Sequence, residues 1–124
     1  MANLTCEEIK AYVPAKDYPL SIAFYQQMGF ELAWQSPEMA YFYLGDCSFL
    51  LQNFYNPDHA NNFMMHLLVE DVNAWYAQLQ SVGLAQQYGV TITEPTLQPW
   101  HMIDFVVYDP SGVLWRIGQN SEPM

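Results

Sequence analysis

Few side chains in this sequence could act on a substrate. They are His59, His66 and His101, the thiols Cys6 and Cys47, and the three bases Lys10, Lys16 and Arg116. A histidine paired with a carboxylate such as Glu31 or Asp104 could move a proton or join a metal site. The spacing supports little more. The cysteines form no C-x-x-C pair, so no zinc motif is present. There is no G-x-S-x-G turn, and neither thiol has an evident activating neighbour. The six glycines are scattered, which excludes a glycine-rich phosphate loop. No catalytic residue is assigned. His59 lies in a polar linker and reads as solvated. His66 shares strand parity with Met64 and reads as a polar residue of a cleft wall.

The four tryptophans offer stacking instead. Trp75 falls on the apolar stripe of a predicted helix, and Trp115 alternates with Val113 and Ile117, so both read as core. Trp34 stands near a turn at the end of a strand. Trp100 closes the proline-flanked segment Glu94-Pro95-Thr96-Leu97-Gln98-Pro99-Trp100. Neither setting reads as core, and rigid aromatic faces can stack flat groups while their quadrupoles attract nearby cations. Tyr41, Tyr43 and Phe54 would add an apolar wall. Met39 and Met64 would supply polarizable contacts or fill the core.

These residues sit on a pattern that occurs twice. A strand over 8–14 precedes a helix opened by Asp17 and Pro19 and closed at Gly29. Strands over 30–34, 39–44 and 48–54 follow, separated by Ser36-Pro37-Glu38 and Gly45-Asp46. After the polar linker 55–62 comes a strand over 63–69, then a helix from Asp71 to Gly83. Strands over 90–93, 103–108 and 113–118 complete the second round, the last two joined by the turn Asp109-Pro110-Ser111-Gly112. The reading is α+β: one domain over 1–124, with βαβββ modules over 8–55 and 63–119. Neither module has core enough to stand alone, so each must pack on the other or on a second chain.

The 124 residues are 52 % apolar and 13 % charged, which excludes disorder. Thirteen acids against three bases give a formal charge of −10. Such a surface repels phosphate backbones and anionic lipid, so no nucleic-acid or membrane partner is expected. It attracts cations, or serves only to keep an aromatic-rich protein in solution. No stretch is long enough to span a bilayer, and the first residues show no basic start followed by an apolar core. With two thiols, this predicts a reduced, cytoplasmic protein.

The paired βαβββ order resembles the vicinal-oxygen-chelate superfamily, also called the glyoxalase/bleomycin-resistance/dioxygenase family. The resemblance rests on Asp17…Ser21-Ile22-Ala23-Phe24-Tyr25…Met28-Gly29-Phe30, on Val69-Glu70-Asp71-Val72 and on Asp109-Pro110-Ser111-Gly112. Within the superfamily the chain is most similar to bleomycin-resistance proteins, through the segment ending at Trp100 and through Phe49-Leu50-Leu51-Gln52-Asn53-Phe54. That likeness implies a homodimer with ligand clefts at its interface, a flat drug sandwiched between Trp34 of one subunit and Trp100 of the other, and sequestration of a cationic drug without chemistry.

It also implies where a metal would sit. The positions that carry ligands in metal-dependent members hold Lys10, Gln52, Met64 and Arg116 here. Two cations, an amide and a thioether do not suit a hard metal, so neither metal nor cofactor is expected. The predicted function is non-catalytic binding of a planar or amphipathic small molecule. The expected ligand-binding residues are Trp34, Trp100, Tyr41, Phe54, His66, Met64, Arg116 and Lys10. Lys10 and Arg116 either pair with acids such as Glu31 or Asp104 or meet an anionic group of the ligand. Two alternatives are a metal-dependent lyase, isomerase or dioxygenase with atypical ligands, and a regulatory or scaffold dimer with a vestigial cleft.

Overall fold

The structure, a computed structural model, describes residues 2–121; Met1 and 122–124, the ends of the expected single domain, lie outside it. The first half contains β1 (Tyr12–Pro14), α1 (Tyr18–Met28), β2 (Glu31–Gln35), β3 (Met39–Leu44) and β4 (Cys47–Gln52). A short helix, α2 (Pro57–Asn61), leads into the second half. There β5 (Met64–Leu68), α3 (Val72–Ser81), α4 (Leu84–Tyr88), β6 (Thr96–Gln98), β7 (Met102–Tyr108) and β8 (Leu114–Asn120) follow. The two sheets run β1-β4-β3-β2 and β5-β8-β7-β6. In each, the first strand pairs in parallel with the last, and the other pairs are antiparallel. The repeat seen in the sequence is therefore a repeat of topology.

The helix starts follow their capping chemistry. Asp17 accepts from the Leu20 amide at 3.2 Å and Asp71 from the Ala74 amide at 3.0 Å. Gly29 ends α1 at φ 123°, a backbone region that favours glycine.

The structure corrects or adds to the expectation at four places. The first strand spans three residues, not 8–14: residues 8–11 run outside the ladder, and Glu8 is held by side chains instead. The linker is not wholly irregular, because Asn56 caps α2 by accepting from the Asp58 and His59 amides, with Pro57 at its start. Gly83 ends the helix begun at Asp71 as expected, but a further helix that the sequence reading lacks follows it. The left-handed φ of 66° at Gly83 turns the chain into α4, whose Leu84 is buried and whose Tyr88 ring meets Phe24 edge-on at 5.2 Å. The strand over 90–93 reduces to one bridge, Ile92 with Val107. There the Thr93 hydroxyl takes the place of a ladder acceptor for the Val106 amide, at 2.8 Å. The edge strand β6 lies beyond Pro95, in the segment read as a loop.

The core is aromatic and joins the two sheets. Tyr25 of α1 lies 4.9 Å from the Phe49 ring of β4 and 5.6 Å from the Trp115 ring of β8. Phe30 and Phe42 complete the cluster. The indole N–H of Trp115 donates to the Tyr25 hydroxyl at 2.9 Å, and that hydroxyl donates to the Asp109 carboxylate. Asp109 Oδ1 accepts from the Ser111 and Val113 amides, each at 2.9 Å, and so fixes the β7–β8 turn. Burial pushes the Tyr25 hydroxyl well above its ordinary value and raises Asp109 as well.

Candidate functional site

Alternation along the strands sorts side chains between a core face and an open face. In the first sheet Val13, Leu51 and Ala40 are buried together. One register step away, Tyr12, Leu50, Tyr41 and Trp34 form a row across all four strands of the open face. Trp34 is 53 % exposed and Tyr12 50 %. Trp34 reaches this face through a β-bulge. The ladder pairs Leu32 with Phe42 and Trp34 with Tyr41, leaving Ala33 unpaired. Unbroken alternation would have put Ala33 opposite Tyr41 and aimed the indole at the core.

The open face of the second sheet carries three of the expected residues together. Met64 and His66 point the same way on β5, and Arg116 stands opposite His66. Leu68, Leu114 and Tyr108 extend the apolar surface around them. Trp100, 57 % exposed, occupies the β6–β7 turn at the edge of this sheet. The next residue, His101, takes a left-handed φ of 60° to close that turn. Phe54 lies just past β4 and is 52 % exposed.

The expected residues thus fall into two groups on two sheets. Lys10, Tyr41 and Trp34 belong to the first, and Met64, His66 and Arg116 to the second. Among the described residues no ion pair, hydrogen bond or ring contact joins one group to the other, and Trp34 and Trp100 do not stack on each other.

Both candidate cations are paired. Lys10 Nζ lies 3.2 Å from Glu8 Oε1 and 5.1 Å above the Tyr41 ring. Glu8 also accepts from the Tyr41 hydroxyl at 3.0 Å and from the Ser48 hydroxyl. These bonds, with the lysine, hold the Glu8 carboxyl below its ordinary value. Arg116 Nη1 lies 2.9 Å from Asp104 Oδ2, and Gln98 Nε2 donates to Asp104 Oδ1 at 2.9 Å. The sequence names Asp104 as a partner for a base but misses Glu8, a residue of an irregular segment with no periodicity to mark it. It also misses Gln98, which stands opposite Met102 in the β6–β7 ladder and reaches Asp104 diagonally.

Among the described residues no three His, Cys, Asp or Glu side chains converge as a metal site. Lys10 and Arg116 carry ion-paired positive charge, and Gln52 and Met64 offer an amide and a thioether. That donor set does not fit a hard divalent ion. No helix among the described residues is long and apolar enough to cross a membrane.

Comparison with known proteins agrees with the paired-module topology. A bleomycin resistance protein from Klebsiella pneumoniae is 29 % identical over 113 residues, spanning 87 % of this chain and 88 % of that protein. The crystal structure of a bleomycin-binding protein complexed with bleomycin superposes with a TM-score of 0.78 at 25 % identity, over 94 % of this chain and 100 % of the other. A bleomycin resistance determinant encoded on the transposon Tn5 shares the fold with a TM-score of 0.79 at 24 % identity, over 94 % and 100 % of the two chains. The model of the Glyoxalase/Bleomycin resistance protein/Dioxygenase superfamily matches residues 8–117, and the chain belongs to that superfamily.

Proposed function

We propose that this protein binds and sequesters a planar, amphipathic small molecule of the bleomycin type and does no chemistry on it. The carrying observation is the row Tyr12–Leu50–Tyr41–Trp34, whose two end rings, Tyr12 and Trp34, are half exposed on an otherwise acidic protein. Aromatic rings mounted on a sheet lose little side-chain freedom when a flat ligand stacks on them. The relatives' names point the same way.

In this reading the working unit is a homodimer. The open face of one protomer's first sheet meets the open face of its partner's second sheet. Trp34 then stacks one side of the ligand and Trp100 from the other subunit the opposite side. Tyr41, Phe54, Met64 and His66 line the wall. Lys10 and Arg116 belong to that wall as neutralised pairs rather than as anchors for an anion. The surplus of acids speeds capture of a cation. The exposed free thiols Cys6 and Cys47 suit a reducing cytoplasm.

The test is a tryptophan-fluorescence titration with copper(II)-bleomycin at several salt concentrations, beside sedimentation of the free protein. The reading expects saturable quenching that weakens with salt, at one ligand per cleft of a dimer. A flat titration on a folded protein sinks bleomycin sequestration, and a strictly monomeric protein sinks the shared cleft.

A further inference from the structure

Asp104 is an unusual residue for an open sheet face. Its side chain is 1 % exposed, while that of Arg116 beside it is 30 % exposed. Both carboxylate oxygens are used: Oδ2 by Arg116 Nη1 and Oδ1 by Gln98 Nε2, each at 2.9 Å. Asp104 pairs in the ladder with Gly118, so it reaches Arg116 diagonally across β8. The glycine allows this. A Cβ at 118 would come within 2.9 Å of Met102 Sδ and 3.0 Å of Asp104 Cβ. The buried carboxylate therefore lies over a strand position left bare.

The consequence is electrostatic. The chain has three Lys and Arg residues. Lys10 is paired with Glu8, Lys16 lies 5.6 Å from the Tyr55 ring, and Arg116 is the one base in the middle of an open face. A bare guanidinium there would repel a cationic ligand and attract a carboxylate or sulfonate. We propose that Asp104 determines the charge preference of the second-sheet face. It masks Arg116, so that the face takes amine-bearing ligands and refuses anions. Gln98 and Gly118 hold Asp104 in the masking position. This deepens the sequestration reading and rests on it for the location of the ligand.

Isothermal titration at low salt tests it with two probes, copper(II)-bleomycin and 2-naphthalenesulfonate. Wild type should bind the first and not the second. Asp104→Asn should weaken copper(II)-bleomycin by about tenfold, the effect of one uncompensated charge near a half-exposed site, and should gain naphthalenesulfonate binding. The double variant Asp104→Asn/Arg116→Gln removes both charges. It should recover cation affinity to within about threefold of wild type and lose the sulfonate.

If Asp104→Asn does not fold, as judged by near-ultraviolet circular dichroism, Asp104→Ala removes the masking charge without leaving an amide in its place and should produce sulfonate binding. Sulfonate binding by wild type overturns the proposal. So does a folded Asp104→Asn or Asp104→Ala protein that binds no sulfonate, or a double variant that behaves like Asp104→Asn. The sulfonate arm does not need bleomycin to bind. A wild type blind to copper(II)-bleomycin therefore sinks sequestration while the masking is still decided.

Discussion

Trp34 stands directly opposite Tyr41 in the β2–β3 ladder because one residue, Ala33, is left out of the pairing. The bulge turns a side chain that alternation would bury into part of an exposed aromatic row. A bulged strand loses regular pairing at that point, and the arrangement places the indole on the surface where a ligand can stack. The same sheet buries Phe42 and Phe49 on its other face, 5.4 Å apart and nearly parallel. The row thus stands on a packed aromatic layer.

Trp34→Ala should separate binding from stability. The indole is more than half exposed, so the variant should unfold within about 0.5 kcal/mol of wild type. Copper(II)-bleomycin affinity should fall by about ten- to a hundredfold, the range for losing an aromatic anchor. Deleting Ala33 should remove the bulge and leave the pairing intact. Trp34 would still oppose Tyr41 and Gln35 would still oppose Ala40, so the indole stays on the open face and affinity should stay within about threefold of wild type. An Ala33 deletion that folds but loses the ligand would contradict this register.

Tyr25→Phe tests the contact that ties α1 to the β7–β8 turn. The substitution keeps the ring and its neighbours Phe49 and Trp115 but strips the hydroxyl. It leaves the Trp115 indole N–H and one Asp109 oxygen without their partner in a buried site. The expected loss is about 1–3 kcal/mol by denaturant unfolding. A change below about 0.3 kcal/mol would mean that the bond contributes no net stability.

The same residue should make the protein sensitive to alkali. Burial, reinforced by the nearby Asp109 charge, raises the Tyr25 hydroxyl well above its ordinary value near 10. The folded state therefore holds this proton where the unfolded chain releases it. The contribution is complete below the unfolded value and declines as pH rises above it towards the folded value. Urea melts from pH 8 to 11.5 should show wild type losing stability faster above pH 10 than Tyr25→Phe. Parallel curves for the two proteins would contradict the assignment.

The topology was legible because its signals are local and repeated. Asp17 and Asp71 cap helices where their spacing predicts, and Asp109-Pro110-Ser111-Gly112 turns where proline and glycine require. What escaped was set by tertiary partners. Strand β1 is short because Glu8 finds Ser48 and Tyr41 instead of a ladder, and no local pattern predicts that. Helix α4 exists because Leu84 and Tyr88 find burial against α1, beyond a glycine that reads as a stop. At the site, Trp34 and Trp100 are exposed, and the stacking role that the family resemblance implies for them is the one the Trp34→Ala measurement decides. The pairing of Arg116 needed the diagonal register of β7 and β8, which composition does not contain.

Glu8 should act as a latch on the N-terminal segment. Residues 7–9 cover a cavity of about 420 Å³ between the sheets, lined also by Phe30, Phe49, Met65 and Trp115. The segment has no ladder of its own until β1, and Ile9 is 96 % exposed, so the Glu8 hydrogen bonds are its main tie. Trypsin reports the state of this tie, because Lys10 lies within it and pairs with Glu8. Glu8→Ala should raise the rate of cleavage after Lys10 several-fold at pH 8, through local opening and without a matching rise at Arg116. Acid should act likewise. The Glu8 carboxyl is held below its unfolded value near 4.5, so its contribution is present above that value and is lost as pH falls through the folded one. Backbone NMR order parameters of residues 7–11 should therefore fall below pH 4.5 while the strands of the core keep theirs. Equal cleavage rates after Lys10 in wild type and Glu8→Ala would show that the segment is held by something other than this carboxylate.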